Sequence, residues 1–344
     1  MEKPDRIVYI DLAKFFAIFC VICGHVYQWT FPGDPYHESP CFQFIYSFHM
    51  PLFMALSGLF LGKSFEMSPL AFLKKRFVQL LLPVLGFSVV FVLFYNFVYA
   101  KWMGVANLDF FTYLGGGDMW FLKYLFVCSA IAYASKKIFR MDAWAALLPV
   151  MLLLTLTRSN IFRLLPFLWL GYFLYKYRAG LLEKHLRATL AGSLATFAFF
   201  LCFWKGDYDA PIRFLYLKPP VHIDAENFFA TFVRQGVGIS GSVFFIALFK
   251  VISRKINVAS SRLATYCCTA GQNTLGIYCL QIYILEFGLD HLNFRFAYAG
   301  DVLVRCLMAI VILLVCDALV RLLARNKWTS LFFLGRGKGQ ARTK

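Results

Sequence analysis

The chain has 344 residues, of which 60% are hydrophobic, 19% aromatic and only 15% charged. Soluble globular domains carry about 45–50% apolar and about 25% charged residues, so this composition excludes an ordinary soluble enzyme, a disordered chain and a small disulfide scaffold. Thirty-five Lys and Arg against 18 Asp and Glu give a net charge of +17, but the basic residues punctuate apolar runs instead of forming one stripe, which argues against nucleic acid as a partner.

A membrane-spanning helix needs about 20 mostly apolar residues. Ten candidate runs fall near residues 7–30, 42–62, 77–100, 119–135, 143–158, 162–176, 188–204, 226–249, 263–285 and 301–323. The fifth and sixth are short and close together, and read as a tight helical hairpin. Lipid cannot satisfy open backbone groups, and alternating strand-length segments are absent. The predicted fold class is therefore all-α: a polytopic integral membrane protein with about ten transmembrane helices.

The basic clusters fix the orientation. Lys63, Lys74, Lys75, Arg76, Lys136, Lys137, Lys250, Arg254 and Lys255 fall on the same side as the N-terminus. The positive-inside rule then places both termini in the cytoplasm. Residues 1–330 are expected to form one transmembrane domain, and 331–344 a basic tail suited to anionic membrane lipid. Asp11 and Lys14 interrupt the first apolar run, which is wrong for a cleavable signal peptide. The cysteines offer no disulfide framework, and Cys20 and Cys23 read as packing residues.

A charge inside the hydrocarbon costs about 2.5–3.5 kcal/mol on insertion scales, so each one needs a partner or a wet cavity. The first span is the richest. Asp11 and Lys14 are three residues apart and can pair. Lys14 and His25 are eleven apart, which puts them on one helix face about 16 Å apart along the axis. A cation at one end and an imidazole at the other suit a donor with a long phosphorylated arm. A neutral imidazole takes a proton from an alcohol at working pH. Two plainer readings stand beside this one: Lys14 neutralising Asp11, and His25 as hydrogen-bonded helix glue.

In the second span His49 falls at a depth close to that of His25, Pro51 is placed to bend the helix, and Ser57-Gly58 permits close helix approach. Two histidines without a third ligand at a recognisable spacing give no reason to expect a metal. Arg76 opens the third span, where it serves as an anchor or leans toward a phosphate. Gly115 to Asp118 read as a flexible outer turn. Lys123, Arg163 and Arg234 gather toward the outer half, suited to an anionic or sugar acceptor or to pairing with outer carboxylates. Arg305 and Asp317, twelve apart in the last span, read as structural.

Several segments, in order, resemble the acyltransferase-3 family of integral membrane acyltransferases. They are the first span with Asp11, Lys14 and His25; FHMPLFMALSG at 48–58; RFVQLLLP at 76–83; MWFLKYLF at 119–126; RLLPFLWLG at 163–171; and GQNTLGIYCLQ at 271–281. The resemblance covers about residues 6–330. It implies transfer of an acyl group, usually acetyl, from cytoplasmic acyl-CoA to a hydroxyl of a glycan or lipid-linked sugar, with no metal, in the bacterial cytoplasmic membrane. It also implies His25 as the catalytic residue, with Asp11 and His49 as further catalytic candidates. Lys14, Arg76 and Gln79 become the acyl-CoA-binding candidates, and Trp120, Lys123, Arg163, Arg234 and Gln281 the acceptor-binding ones. Two positions depart from the pattern: Gln79 replaces the second Arg of an RxxR segment, and Gln281 stands where the family often has His. The alternative reading is a secondary transporter or flippase for a sugar or lipid-linked sugar, which would also use buried charges and Pro-interrupted helices. The sequence leaves the oligomeric state open, a homo-oligomer included.

Overall fold

The computed structural model describes residues 7–30, 35–116, 119–138, 140, 160–209, 215–216, 222–256, 258, 260–289 and 301–336. The fifth predicted span, at 143–158, and most of the basic tail lie outside these residues. Within them the regular structure is helical apart from one two-residue antiparallel pairing, Leu215–Tyr216 with His222–Ile223. The helices are α1 (Val8–Thr30), α2 (Pro40–Gly58), α3 (Leu61–Phe65), α4 (Pro69–Met103), α5 (Phe110–Gly116), α6 (Trp120–Tyr133), α7 (Asn160–Lys176), α8 (Leu186–Leu201), α9 (Ala225–Lys255), α10 (Arg262–Gln272), α11 (Thr274–Ile284), α12 (Asp301–Leu323) and α13 (Lys327–Leu334).

Among the described residues, four helices are long and apolar enough on their own to cross a membrane: α1, α4, α9 and, from Val302, α12. This is the architecture of a polytopic integral membrane protein. Starts follow local chemistry: Pro40 and Pro69 begin α2 and α4, where a missing N–H costs nothing, each after an extended serine.

Helix α1 is the hub. It packs against α2, α9, α10, α11 and α12. Two-thirds of its apolar stretch is buried by protein (67%), against 33% for α12. Lipid chains are as apolar as Leu, so close backbone packing, more than water exclusion, must hold such helices together. Small residues permit it. A Cβ on Gly58 of α2 would lie 2.0 Å from the Leu168 carbonyl oxygen of α7, and one on Gly171 of α7 would lie 1.9 Å from the Ala55 oxygen of α2. Gly271 of α10 meets the Asp11 backbone of α1 just as closely, at 2.0 Å.

Two predicted spans are corrected. The third extends from Pro69 to Met103, because the Lys74–Arg76 cluster continues the helix instead of ending it. Within it Phe77–Leu81 forms a π-helical turn, and the Leu82 N–H bonds to the Phe77 carbonyl. Pro83 follows and has no N–H to give, so the wider turn absorbs the local mismatch. The ninth run, expected as one helix over 263–285, is broken at Asn273 into α10 and α11. Asn273 spends its side-chain amide on Asp317 (2.7 Å) and accepts from Arg336 (2.6 Å), so the elbow is held by polar groups. Gly115 and Gly116, expected in a turn, end α5; residues 117–118 lie outside the described set.

Candidate active site

Two cavities lie along α1. The first, of about 490 Å³, is lined by His25, Gln28 and Trp29 of α1, by Tyr46, Ser47, His49, Met50 and Pro51 of α2, and by Trp120, Arg163, Trp204, Arg234 and Tyr278 among others. The second, of about 550 Å³, holds Lys14, Phe60, Lys63, Ser64, Lys75, Arg76, Gln79, Gln272 and Arg336. Both volumes lie within the range of small-molecule and cofactor sites, about 300–1,000 Å³. Val21, Met50 and Tyr278 line both, so the two spaces are neighbours on either side of these residues. Val21 stands on α1 between Lys14 and His25, as the shared helix face requires.

In the histidine cavity, His25 Nδ1 lies 2.9 Å from Oε1 of Gln281 on α11. Gln281 is wholly buried, and its Nε2 points at the Tyr278 carbonyl (3.4 Å), which turns Oε1 toward the ring. An acceptor at Oε1 makes Nδ1 the protonated nitrogen, so the basic lone pair is on Nε2. His49 has the same tautomer for a local reason: its Nδ1 donates to the Ile45 carbonyl at 2.8 Å, one turn back on α2. Pro51 leaves the Ser47 carbonyl without its helical N–H partner and lines the cavity itself. Arg234 donates from Nη1 to the Tyr208 carbonyl at 2.9 Å, and Arg163 is buried at 6% exposure. The wall therefore joins aromatic faces, two imidazoles and two guanidinium groups.

The lysine cavity has a different character. Lys14, Lys63, Lys75, Arg76 and Arg336 contribute to its lining, and no Asp or Glu appears among the described lining residues. Lys14 lies over the Phe60 ring, 5.3 Å from its centroid. Arg76 donates to the Ser64 hydroxyl at 3.2 Å and lies against Phe72. Gln79 reaches this wall from the π-helical turn. Such a site is suited to several phosphate charges at once.

Comparison with known proteins decides the family: the family model described as an acyltransferase domain matches residues 7–321. The chain belongs to the acyltransferase-3 family. It is also similar to the nodulation protein NolL of Mesorhizobium japonicum, 43% identical over 88 residues, which is 24% of this chain and 22% of that protein. The NolL of Sinorhizobium fredii is 40% identical over 84 residues, 24% of this chain and 23% of the relative. These matches span less than a quarter of the length of either relative. No solved structure matches.

In this member of the family, His25, His49, Trp120, Arg163 and Arg234 share one cavity, and Lys14, Arg76 and Gln79 share the other. Three expected site residues fall elsewhere. Asp11, a catalytic candidate, accepts a hydrogen bond from Gln272 Nε2 at 2.8 Å at the elbow of α10 and α11 and lines neither cavity. Lys14 lies over Phe60, 5.3 Å from its ring centroid, with Asp11 close enough to act on it electrostatically. Lys123 donates to the Leu114 and Gly115 carbonyls at 2.8 and 3.0 Å and lines neither cavity, because the last carbonyls of α5 attract a cation. Gln281 stands behind His25 and not on the cavity wall. Arg305 Nε donates to Thr30 Oγ1 at 3.1 Å, and Asp317 pairs with Arg321 at 2.7 Å. Among the described residues no group of three His, Cys, Asp or Glu is gathered for a metal.

Sequence reasoning missed Trp29, Tyr46 and Trp204 in the histidine cavity and Arg336 in the lysine cavity. The aromatics carry no motif in a chain with 40 Phe, 18 Tyr and 7 Trp. Arg336 had one usable signal: Asn326 as a helix N-cap and Gly335 as its stop, which together predict a short helix at the chain's end.

Proposed function

We propose that this acyltransferase carries an acyl group, with acetyl the first candidate, from cytoplasmic acyl-CoA to a hydroxyl of a glycan or lipid-linked sugar, in the bacterial cytoplasmic membrane. The observation that supports the reading is the adjacency, across Val21, Met50 and Tyr278, of a cationic cavity and one holding His25. The donor's phosphates lie with Lys14 and Arg76, and its pantetheine arm runs along α1 toward the imidazole. The acceptor enters the other cavity, where Trp29, Trp120 and Trp204 suit the apolar faces of sugar rings and Arg163 and Arg234 suit its polar edge.

His25 Nε2 takes the proton of the acceptor hydroxyl as its oxygen attacks the thioester carbonyl. The C–S bond then breaks, and the imidazolium returns the proton to the leaving sulfur. Gln281 holds the ring through Nδ1 and stabilises the imidazolium that forms between the two transfers. His49 borders the same space and serves as a hydrogen-bonding group toward the acceptor. Lys14, Lys75, Arg76 and Arg336 at one cavity support a cytoplasmic location for that end.

Deletion of the protein from its host, followed by mass analysis of the surface glycan, tests the reading. The expected result is a loss of about 42 Da per modified sugar, the mass an acetyl group adds to a hydroxyl. An unchanged glycan, together with sugar movement by proteoliposomes in the absence of acyl-CoA, would favour the transporter reading instead.

A further inference from the structure

The family match ends at residue 321, yet the chain continues into the bundle. Helix α13 is capped by the Asn326 side chain, which accepts from the Trp328 N–H at 2.8 Å, and the helix packs back against α4. It ends at Gly335, whose φ of +63° is the left-handed stop that glycine adopts at least cost. This glycine also has no room for a side chain. A Cβ would lie 2.6 Å from the Val78 oxygen and 2.8 Å from both Cα and O of Gln79. The C-terminal segment is thus laid on the π-helical turn that carries Gln79, and the next residue is Arg336.

Arg336 lines the lysine cavity beside Lys14, Lys75 and Arg76. Both of its hydrogen bonds leave from Nη2, to Asn273 Oδ1 at 2.6 Å and to the Gln272 carbonyl at 3.3 Å. Asn273 is itself fixed by Asp317, which Arg321 holds from the other side. One edge of the guanidinium is therefore anchored at the elbow of α10 and α11. A guanidinium held by one nitrogen still has Nη1 and Nε to offer an anion, with little rotamer freedom left to lose. The neutral Gln79 beside it supplies no charge.

We propose that Arg336 is a phosphate ligand for the acyl-CoA donor, delivered to the site by a segment beyond the family match. The inference rests on the reading of the lysine cavity as the donor site. Arg336 supplies the cation that Gln79 does not, and the Gly335 stop sets its position.

The test uses full-length protein purified in detergent and titrated with coenzyme A and with pantetheine, which has the same thiol arm without phosphates. Wild-type protein should bind coenzyme A more tightly. In Arg336→Gln that preference should fall about tenfold, the size expected for a lost charge-assisted hydrogen bond. If both ligands weaken equally, or neither changes, Arg336 only braces the elbow and the proposal is overturned. If Arg336→Gln loses a response to added phosphatidylglycerol with the ligand preference intact, the guanidinium serves lipid and the proposal is again overturned. Should Arg336→Gln fail to fold, Arg336→Lys carries the test: a partial loss of preference is expected, and an unaltered preference contradicts the proposal. Wild-type protein that does not distinguish the two ligands would instead remove the donor reading itself.

Discussion

Gln281 Oε1 meets His25 Nδ1 at 2.9 Å across 256 residues of sequence. With Oε1 as acceptor the proton sits on Nδ1, the tautomer that the proposed proton abstraction at Nε2 requires. Replacing Gln281 by Leu leaves the part-buried Nδ1–H without this acceptor, a cost of about 1 kcal/mol or more. The expected result is a fall in kcat of about tenfold or more with little change in KM for acetyl-CoA. Steady-state kinetics checks it, and Gln281→His, which keeps an acceptor nitrogen, should recover part of the loss.

Lys14 and Arg76 face a different task. Each stands in the cationic cavity, away from the imidazole. If they hold the donor as proposed, Lys14→Ala and Arg76→Ala should each raise KM for acetyl-CoA about tenfold with kcat reduced much less, the signature of groups that bind ground state and transition state alike. Equal falls in kcat and in kcat/KM would assign them to the chemical step instead.

The crossing of α2 and α7 is the most sterically exacting point in the fold. Gly58→Ala puts a methyl group about where the Leu168 carbonyl oxygen stands, at 2.0 Å. The helices must separate, at a cost of about 1–3 kcal/mol. Thermal unfolding in detergent should show a lowered midpoint, and Gly171→Ala should behave the same way from the facing helix.

Lys123 separates the structural account from the sequence expectation. Its ammonium is bound to the Leu114 and Gly115 carbonyls. Lys123→Met should lower thermal stability and leave the acceptor KM within about twofold of wild type. A large rise in acceptor KM would return Lys123 to the binding site.

Much of this was legible in the sequence, for identifiable reasons. A spacing of eleven residues on one helix survives folding, so Lys14 and His25 could be placed on one face before any tertiary contact was known. Apolar runs located α1, α2, α8, α9 and α12 because lipid demands length and self-satisfied backbone, and both are local properties. What was hidden depended on contacts distant in sequence. Asn273 broke a run that reads as one apolar helix, because Asp317 and Arg336 reward its side chain there. Asp11 was drawn to Gln272, 261 residues away. Arg336 sat in what reads as a basic tail, and residue 330, the boundary expected between domain and tail, falls inside α13.

His25 is the residue proposed to perform the proton transfer. Membrane vesicles containing the protein and its native acceptor, given radiolabelled acetyl-CoA, should incorporate label into glycan. Vesicles with His25→Ala at equal protein level should incorporate almost none while still binding coenzyme A. Label incorporated by His25→Ala at a rate close to wild type would contradict the account.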